Sequence, residues 1–307
     1  MKPVTASGFI VATFGRRYRV AQGLTLHAAT ASGTLIDCVS RGKKREATCG
    51  DQVEFTVTGD ASGVIESIHS RSNIYRRADA FKEKMLAANI TQVAIIVAGK
   101  PTFSDELLTR ALCAAEEAGV RVLIVLNKID LADSAAEARA ALQPYAAMGY
   151  EIIELAAKQG VASLSTHLLG AITLLIGQSG MGKSTILNAL APEAQARTRE
   201  ISEALNSGTH TTTSAQAYAL EEASVIIDTP GFQEFGLSFM NRDALDISFR
   251  DVRPHLNHCR FQNCKHGPEP GCALSAAVSR GSMTARRHAL HQRIAQEIDY
   301  AKTAHFR

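Results

Sequence analysis

A glycine-rich segment near the middle of the chain has the residue types and spacing of a phosphate-binding loop. The segment GQSGMGKS (177–184) fits G-x-x-x-x-G-K-S, a pattern in which glycines let backbone N–H groups face phosphates. Lys183 would reach the β- and γ-phosphates, and the Ser184 hydroxyl would coordinate Mg²⁺. The predicted nucleotide contacts here are Gly177, Gln178, Ser179, Gly180, Met181, Gly182, Lys183, Ser184 and Thr185.

The segment NKID (127–130) has the residue types that read a guanine base. Asn127 would brace the loop, the stem of Lys128 would cover the base, and Asp130 would accept hydrogen bonds from guanine N1–H and N2–H. Adenine lacks that pair of donors and would leave the carboxylate unpaired, so GTP is favoured over ATP. The segment AAK (156–158) follows one predicted strand later, and we expect Lys158 to contact the base although Ala156 replaces the usual serine.

A third segment, DTPG (228–231), predicts the remaining contacts to Mg²⁺ and the γ-phosphate. Asp228 would hold Mg²⁺ through water, and the Gly231 N–H would face the γ-phosphate.

The polar stretch 196–220 predicts a mobile switch in which Thr212 closes on Mg²⁺. Phe232 cannot orient a water by hydrogen bonding, which leaves His210 as the nearest candidate. The predicted catalytic residues are His210, Thr212 and Lys183, and the predicted magnesium ligands are Ser184, Thr212 and Asp228.

Three cysteines and a histidine crowd into CRFQNCKHGPEPGC (259–272). Three thiolates and one imidazole complete a tetrahedral zinc shell, and a closed shell indicates a structural site. We therefore expect one structural Zn²⁺ per chain, with His255 and His258 as alternative ligands. The predicted ligands are Cys259, Cys264, His266 and Cys272.

The elements that must position these residues alternate between strand and helix from about residue 90. Apolar runs predict buried strands at 92–99, 120–128, 150–157, 171–177 and 223–231, and helical periodicity marks 104–119 and 133–147. This alternation predicts an α/β domain with a mostly parallel sheet. All four nucleotide motifs follow predicted strands, but NKID precedes the phosphate loop, so we expect a GTPase sheet whose chain is circularly permuted.

The two ends of the chain differ from this middle. Residues 7–70 read as about five short strands with turn signals, which favours an OB-like barrel. Residues 236–307 read as short helices around the Cys/His cluster, with an amphipathic helix at 282–302. The predicted fold is multidomain α/β, with an OB-like RNA-binding barrel (1–72), a circularly permuted P-loop GTPase domain (73–235) and a zinc-knuckle helical domain (236–307).

Charge is distributed unevenly along the 307 residues, whose net charge is +3. Residues 1–77 carry +5 and residues 250–307 carry +6, so the middle carries −8. Two basic ends suggest contact with a polyanion, although such runs are also common on solvated loops. The RNA-binding candidates are Arg16, Arg17, Arg41, Lys43, Lys44, Arg45, Arg286 and Arg287.

The N-terminal segment has no signal-peptide core, and no apolar run approaches membrane-spanning length. We expect a cytoplasmic protein that does not bind membranes. Six cysteines in a chain this long are too few for a disulfide framework, which fits the same compartment.

Together, these segments resemble the circularly permuted ribosome-assembly GTPases of bacteria, the RsgA type. The resemblance covers nearly the whole chain and is most specific at GQSGMGKST, NKID, GTHTTT, DTPGFQEFGL and the C-x4-C-x-H-x5-C tail. It implies a monomeric GTPase that binds the small ribosomal subunit and its rRNA late in maturation, is activated by the subunit, and hydrolyses GTP to GDP. It also implies a catalytic role for His210, the histidine before the threonines.

Two alternatives stay open from the sequence alone. One is a GTPase that acts on another ribonucleoprotein, such as the large subunit. The other is an RNA-binding protein whose nucleotide is only structural. Turnover stimulated by small subunits would distinguish all three.

Overall fold

The computed structural model describes residues 5–41, 47–78, 83–192, 194 and 215–304. The predicted residues Lys43, Lys44, Arg45, His210 and Thr212 lie outside these ranges. Within them, no helix is both long and apolar enough to cross a membrane.

The N-terminal region forms the predicted five-stranded barrel. Its strands run in the order β1-β2-β3-β5-β4, and β4 closes the barrel by pairing with β1. Their inward side chains, including Ile10, Val20 and Phe55, form a separate apolar core. A short helix that the sequence analysis did not predict, α1 (Leu26–Ser32), lies between β2 and β3. The strands are β1 (Thr5–Phe14), β2 (Arg17–Ala21), β3 (Leu35–Ser40), β4 (Gln52–Gly59) and β5 (Ser62–Ile68).

A two-stranded hairpin, β6 (Ile74–Ala78) and β7 (Glu83–Ala88), follows the barrel. The sequence analysis missed it as well. Ala78 pairs with Gly236, so the hairpin contacts the segment that follows DTPG.

The middle of the chain forms the predicted, mostly parallel sheet. Strands β8, β9, β10, β11 and β13 are parallel, and β12 is antiparallel to β13. Every residue of β8 is buried, which explains its continuous apolar sequence. The strands are β8 (Gln92–Ala98), β9 (Arg121–Asn127), β10 (Glu151–Leu155), β11 (Ile172–Gly177), β12 (Ala215–Ala219) and β13 (Val225–Asp228).

The barrel and the parallel sheet are joined into one sheet. Strand β12 pairs with β1, with Ala12 opposite Gln216, so the hydrogen-bonded order runs from β10 to β4. The predicted domain boundary at residue 72 therefore separates the chain in sequence, whereas backbone hydrogen bonds cross it in space.

Helices flank the parallel sheet, and the first two lie where periodicity predicted them, at 104–119 and 133–147. Helix α2 (Asp105–Ala118) begins after Ser104, whose side chain accepts from the Leu107 N–H, and ends at Gly119 in the left-handed conformation. Helix α3 covers Ala132–Ala147, α4 covers Ala162–Leu168, and α5 covers Lys183–Leu190 directly behind the phosphate loop.

Three helices form the C-terminal region around the Cys/His cluster. They are α6 (Arg242–Ser248), α7 (Ala273–Ser279) and α8 (Ala285–Ala304). Leu290, Ile294 and Ile298 are buried, as the amphipathic pattern of the tail predicted. Helix α6 also contacts α2, so the C-terminal region packs on the GTPase sheet.

Candidate functional site

The carboxyl ends of four strands surround one cavity of about 650 Å³. Such a volume suits a small-molecule ligand. Segments that are distant in sequence meet there, because parallel strands present their carboxyl ends at one sheet edge. The cavity is lined by Asn127, Lys128, Asp130, Leu131, Ala157, Lys158, Gln178, Ser179, Gly180, Gly182, Lys183, Ser184, Thr185, Asp228, Pro230 and Gly231.

Asn127 connects three loops of this cavity. Its Nδ2 donates to the Met181 carbonyl at 2.9 Å, and its Oδ1 accepts from the Ala157 N–H at 3.0 Å. Gly182 approaches so closely that a Cβ there would lie 2.3 Å from Asn127 Nδ2, and its φ is +90°. Both constraints require glycine at this position. The guanine-reading segment therefore braces the phosphate loop.

The phosphate end of the cavity contains an ion pair between Lys183 and Asp228. Burial raises the pKa of Asp228 above its ordinary value, and the nearby Lys183 ammonium opposes that rise. Ser184 and Thr185 begin α5 and are exposed to the cavity. A cation, a carboxylate and two hydroxyls thus lie together at a helix N-terminus, where a magnesium-bound phosphate chain is favoured.

Lys128 lies at the base end of the cavity and connects two of the loops there. Its backbone has a φ of +64°, and its Nζ donates to the carbonyls of Lys100 at 2.9 Å and Gly180 at 2.6 Å. Asp130 and Lys158 are exposed and line the same end. Ala156 is buried and does not line the cavity, so the change from serine leaves the wall itself intact.

Gln178 links the phosphate loop to two other elements, which the sequence analysis did not anticipate. Its Oε1 accepts from the Ser104 N–H at 2.6 Å, at the start of α2. Its backbone pairs with Phe232, directly after DTPG. Phe232 is buried and packs edge-to-face on Phe235 at 5.2 Å, so its ring faces the core. Ser104 and Phe232 lie 74 and 54 residues from Gln178 in sequence, and no local pattern indicates such pairs.

The four predicted zinc ligands form one cluster, in which the potential ligand atoms lie within 4.8 Å of one another. His266 Nδ1 lies 3.5 Å from Cys259 Sγ and 3.8 Å from Cys272 Sγ. Ligand atoms around a tetrahedral zinc are separated by about 3.5 to 3.8 Å, so the donor set fits. Cys264 is the fourth member of this cluster. His258, an alternative ligand in the sequence analysis, is exposed and is not among the four.

Backbone amides support the thiolates of this cluster. The Ala273 N–H donates to Cys259 Sγ at 3.3 Å, and the His266 N–H donates to Cys264 Sγ at 3.4 Å. Hydrogen bonds to sulfur favour the charged thiolate, which is the form that binds metal. The residues present therefore suit a closed structural zinc site.

The predicted RNA-binding residues in the described ranges differ in exposure. Arg16, Arg17, Arg41 and Arg286 are exposed. Arg287 is only 6% exposed and donates twice to Asp251. Its neighbours in the fold neutralise and cover it, which disfavours the predicted RNA contact.

Comparisons with known proteins agree with this architecture. Residues 68–238 match the family model described as RsgA GTPase. A "Small ribosomal subunit biogenesis GTPase RsgA" of Burkholderia pseudomallei is 45% identical over 95% of this chain and 92% of its own. The protein of the same description from Ralstonia nicotianae is 44% identical over 96% and 93%.

Two solved structures share the fold. The crystal structure of YjeQ from Thermotoga maritima has a TM-score of 0.69 and 26% identity, over 96% of this chain and 99% of the other. YloQ, described as a circularly permuted GTPase, has a TM-score of 0.67 and 25% identity over 96% of each chain. The family model, the close relatives and the shared permuted fold together show that this chain belongs to the RsgA GTPase family.

Proposed function

We propose that this GTPase hydrolyses GTP in the cavity at the sheet edge while bound to the small ribosomal subunit, during late maturation of that subunit. Family membership makes the chain a GTP-hydrolysing enzyme. The observation that supports this cavity as the site is the meeting of NKID, the phosphate loop and DTPG around it, despite their permuted order.

The residues around the cavity suggest a division of roles. Lys183 would leave Asp228 and pair with the β- and γ-phosphates, which frees the carboxylate to hold Mg²⁺ through water. Ser184 would bind the same ion directly. Bound Mg²⁺ supplies charge neutralisation at the β- and γ-phosphates. The Gly231 N–H would stabilise charge on the γ-phosphate as it leaves.

Two further roles rest on the family resemblance. His210 would orient the attacking water, and Thr212 would close on Mg²⁺. The buried ring of Phe232 leaves that position without a group to orient water, which supports a role for another residue.

Guanine selectivity is assigned to Asp130, whose carboxylate lines the base end of the cavity. Asp130→Asn replaces one acceptor with a donor, so GTP affinity should fall by about 100-fold or more. Xanthosine triphosphate, which offers the complementary pattern, should bind the variant better than GTP. Competition binding with both nucleotides checks this, and unchanged GTP preference would remove Asp130 from the base site.

We take the small ribosomal subunit as the partner because the descriptions of the relatives name small ribosomal subunit biogenesis. Exposed Arg16, Arg17 and Arg41 lie on the barrel. Arg41 is paired with Glu66 at 2.8 Å, so Arg16 and Arg17 are the stronger candidates for phosphate contact. The exposed Arg286 lies on α8 and is paired with Asp105 at 2.9 Å, so it is a weaker candidate of the same kind as Arg41.

GTP turnover with purified ribosomal subunits tests the partner. We expect stimulation by small subunits. Stimulation only by large subunits would favour action on that particle, and tight small-subunit binding without stimulation would favour a structural nucleotide.

We further propose one structural Zn²⁺ per chain, held by Cys259, Cys264, His266 and Cys272, whose arrangement fits a tetrahedral shell. The segment DTPGFQEFGL runs directly towards α6 of the zinc region, so nucleotide state would be relayed to the basic C-terminal surface. Variants locked in the GTP or GDP state should then bind small subunits with different affinities. Equal affinities would rule out the relay.

A further inference from the structure

A carboxylate lies between two buried histidines, one of which belongs to the Cys/His cluster. Asp246 on α6 approaches His266 Nε2 with Oδ2 at 3.6 Å and accepts from His291 Nε2 with Oδ1 at 2.6 Å. The exposed fractions are 8% for Asp246, 6% for His266 and 0% for His291. None of the sequence motifs includes Asp246 or His291, and neither is a ligand in the cluster.

The geometry assigns one ring nitrogen of His266 to each side. Nδ1 faces the sulfur atoms of Cys259 and Cys272, so it would be the metal-binding nitrogen. Nε2 faces Asp246 Oδ2 at 3.6 Å, which is an ion-pair distance slightly longer than a direct hydrogen bond. A carboxylate on the far nitrogen fixes the tautomer and ring orientation of a metal-binding histidine and increases its basicity.

His291 holds the other oxygen of this carboxylate. Its Nε2–H donates to Asp246, and its ring packs edge-to-face on Phe249 at 5.1 Å. Nδ1 of His291 is buried and has no hydrogen-bond partner among the described residues. A buried polar atom without a hydrogen bond costs free energy. The hydrogen bond from Nε2 to Asp246 is therefore the polar contact that stabilises this ring.

We propose that Asp246 and His291 are positioning residues of the zinc centre: Asp246 orients His266, and His291 orients Asp246. Zinc retention then depends on α6 and α8 as well as on the loop 259–272. Two contacts from α8 to the same loop support this, because His288 Nε2 and Gln292 Nε2 both lie 2.9 Å from the His266 carbonyl oxygen. This inference rests on the zinc site proposed above.

Asp246→Asn tests the first contact, with Asp243→Asn as the matched control on an exposed position of the same helix. An amide has one acceptor oxygen and would turn its NH₂ towards one of the two ring N–H groups. Zinc release into excess chelator, followed with a metal indicator, should be about 10- to 100-fold faster than in the control. Equal release rates would overturn the role of Asp246.

His291→Gln and His291→Phe test the second contact. The side-chain amide of glutamine keeps an N–H near the position of Nε2, whereas phenylalanine keeps the ring but removes the donor. We expect release from the glutamine variant close to that of the unsubstituted protein and faster release from the phenylalanine variant. Equal rates for the two variants would overturn the role of His291.

Two measurements keep the outcomes distinct. Atomic absorption on the unsubstituted protein should give one zinc per chain, and a value near zero would reject the zinc site itself. One zinc per chain with equal release from all variants would reject only the positioning roles. Circular dichroism of each zinc-loaded variant verifies folding, and the His291 pair still decides the proposal if Asp246→Asn does not fold.

Discussion

The nucleotide cavity and the zinc region pair their charged groups in different ways. In the cavity, Lys183 and Asp228 face a space of about 650 Å³, and Lys128 donates to loop carbonyls at its wall. A bound nucleotide would replace Asp228 as the partner of Lys183. Around the Cys/His cluster, Asp246 and His291 are buried, so a ligand from solution could not replace their partners.

This difference separates groups that exchange partners during the reaction from groups that hold the fold. Exchanging groups should affect catalysis strongly and folding little. Permanently paired groups should affect stability or metal retention while nucleotide affinity stays nearly unchanged.

The largest effect is expected for Lys183→Ala. It removes the cation nearest the phosphates, so GTP turnover should fall about 100-fold or more. It also removes the ammonium that opposes burial of Asp228, so the pKa of that carboxyl should rise further. Steady-state hydrolysis measures the effect, and Lys100→Ala, at an exposed lysine of the adjacent loop, is the control. Similar losses in both variants would contradict a specific role.

Cys264→Ser should remove zinc while leaving the GTPase sheet folded. A structural zinc contributes on the order of 10 kcal/mol to the fold around it, so α7 and α8 should lose order. Metal analysis and limited proteolysis of the C-terminal region check this. The matched control is Cys38→Ala, a buried thiol in the barrel, which should retain one zinc. Full zinc content in Cys264→Ser would show that three ligands suffice.

The third prediction compares adjacent arginines on α8. Arg287 donates to both oxygens of Asp251 and to Thr109 Oγ1 at 2.7 Å, which fixes α8 to α2. Burial opposes its charge, but the hydrogen bonds that Arg287 donates to Asp251 raise the pKa of Arg287 above its ordinary value. Arg287→Ala leaves the half-buried Asp251 without its partner, which costs about 3 kcal/mol.

Arg286 is the control, because its own side chain is 68% exposed, whereas that of Arg287 is 8% exposed. Arg286→Ala should cost less than Arg287→Ala, because water reaches the arginine end of its ion pair with Asp105. Thermal midpoints of the two variants, measured at one nucleotide concentration, check the contrast. Equal midpoints would show that Arg287 is not a permanent contact. Small-subunit affinity should instead change more for Arg286→Ala.

Local patterns were sufficient to predict much of the fold. The uninterrupted apolar run of β8 indicated a strand buried on both faces, and Ser104 and Gly119 marked both ends of α2. The Cys/His cluster was also local, since its four members lie within 14 residues of sequence. These features depend on neighbours in sequence, which is why a single chain reveals them.

Features that depend on distant partners were missed. The pairing of β12 with β1 joins residues about 200 positions apart, and no periodicity encodes it. The hairpin of β6 and β7 has mixed charged and apolar residues, so its strands lack a clear alternation. The burial of Arg287 was also not predicted, because a surface position is the usual expectation for arginine, and Asp251 neutralises it only in the folded chain.

The smallest effect is expected for Gln178→Ala, which tests whether a permanent contact also serves the nucleotide cavity. The side chain of Gln178 accepts from the Ser104 N–H at 2.6 Å and so holds the phosphate loop against α2. Losing one such bond costs about 1 kcal/mol, or about fivefold in kcat/KM if the loop is displaced.

Ser104→Ala is the matched control for this contact. It removes the Oγ that accepts from the Leu107 N–H at 3.3 Å but keeps the backbone N–H that Gln178 binds. The control should therefore lower the thermal midpoint, since a lost helix cap costs about 1 kcal/mol, and should leave kcat/KM unchanged. Gln178→Ala should lower kcat/KM as well as the thermal midpoint, because it leaves the Ser104 N–H without its acceptor. If it lowers only the thermal midpoint, the bond holds the fold and the phosphate loop keeps its geometry without it.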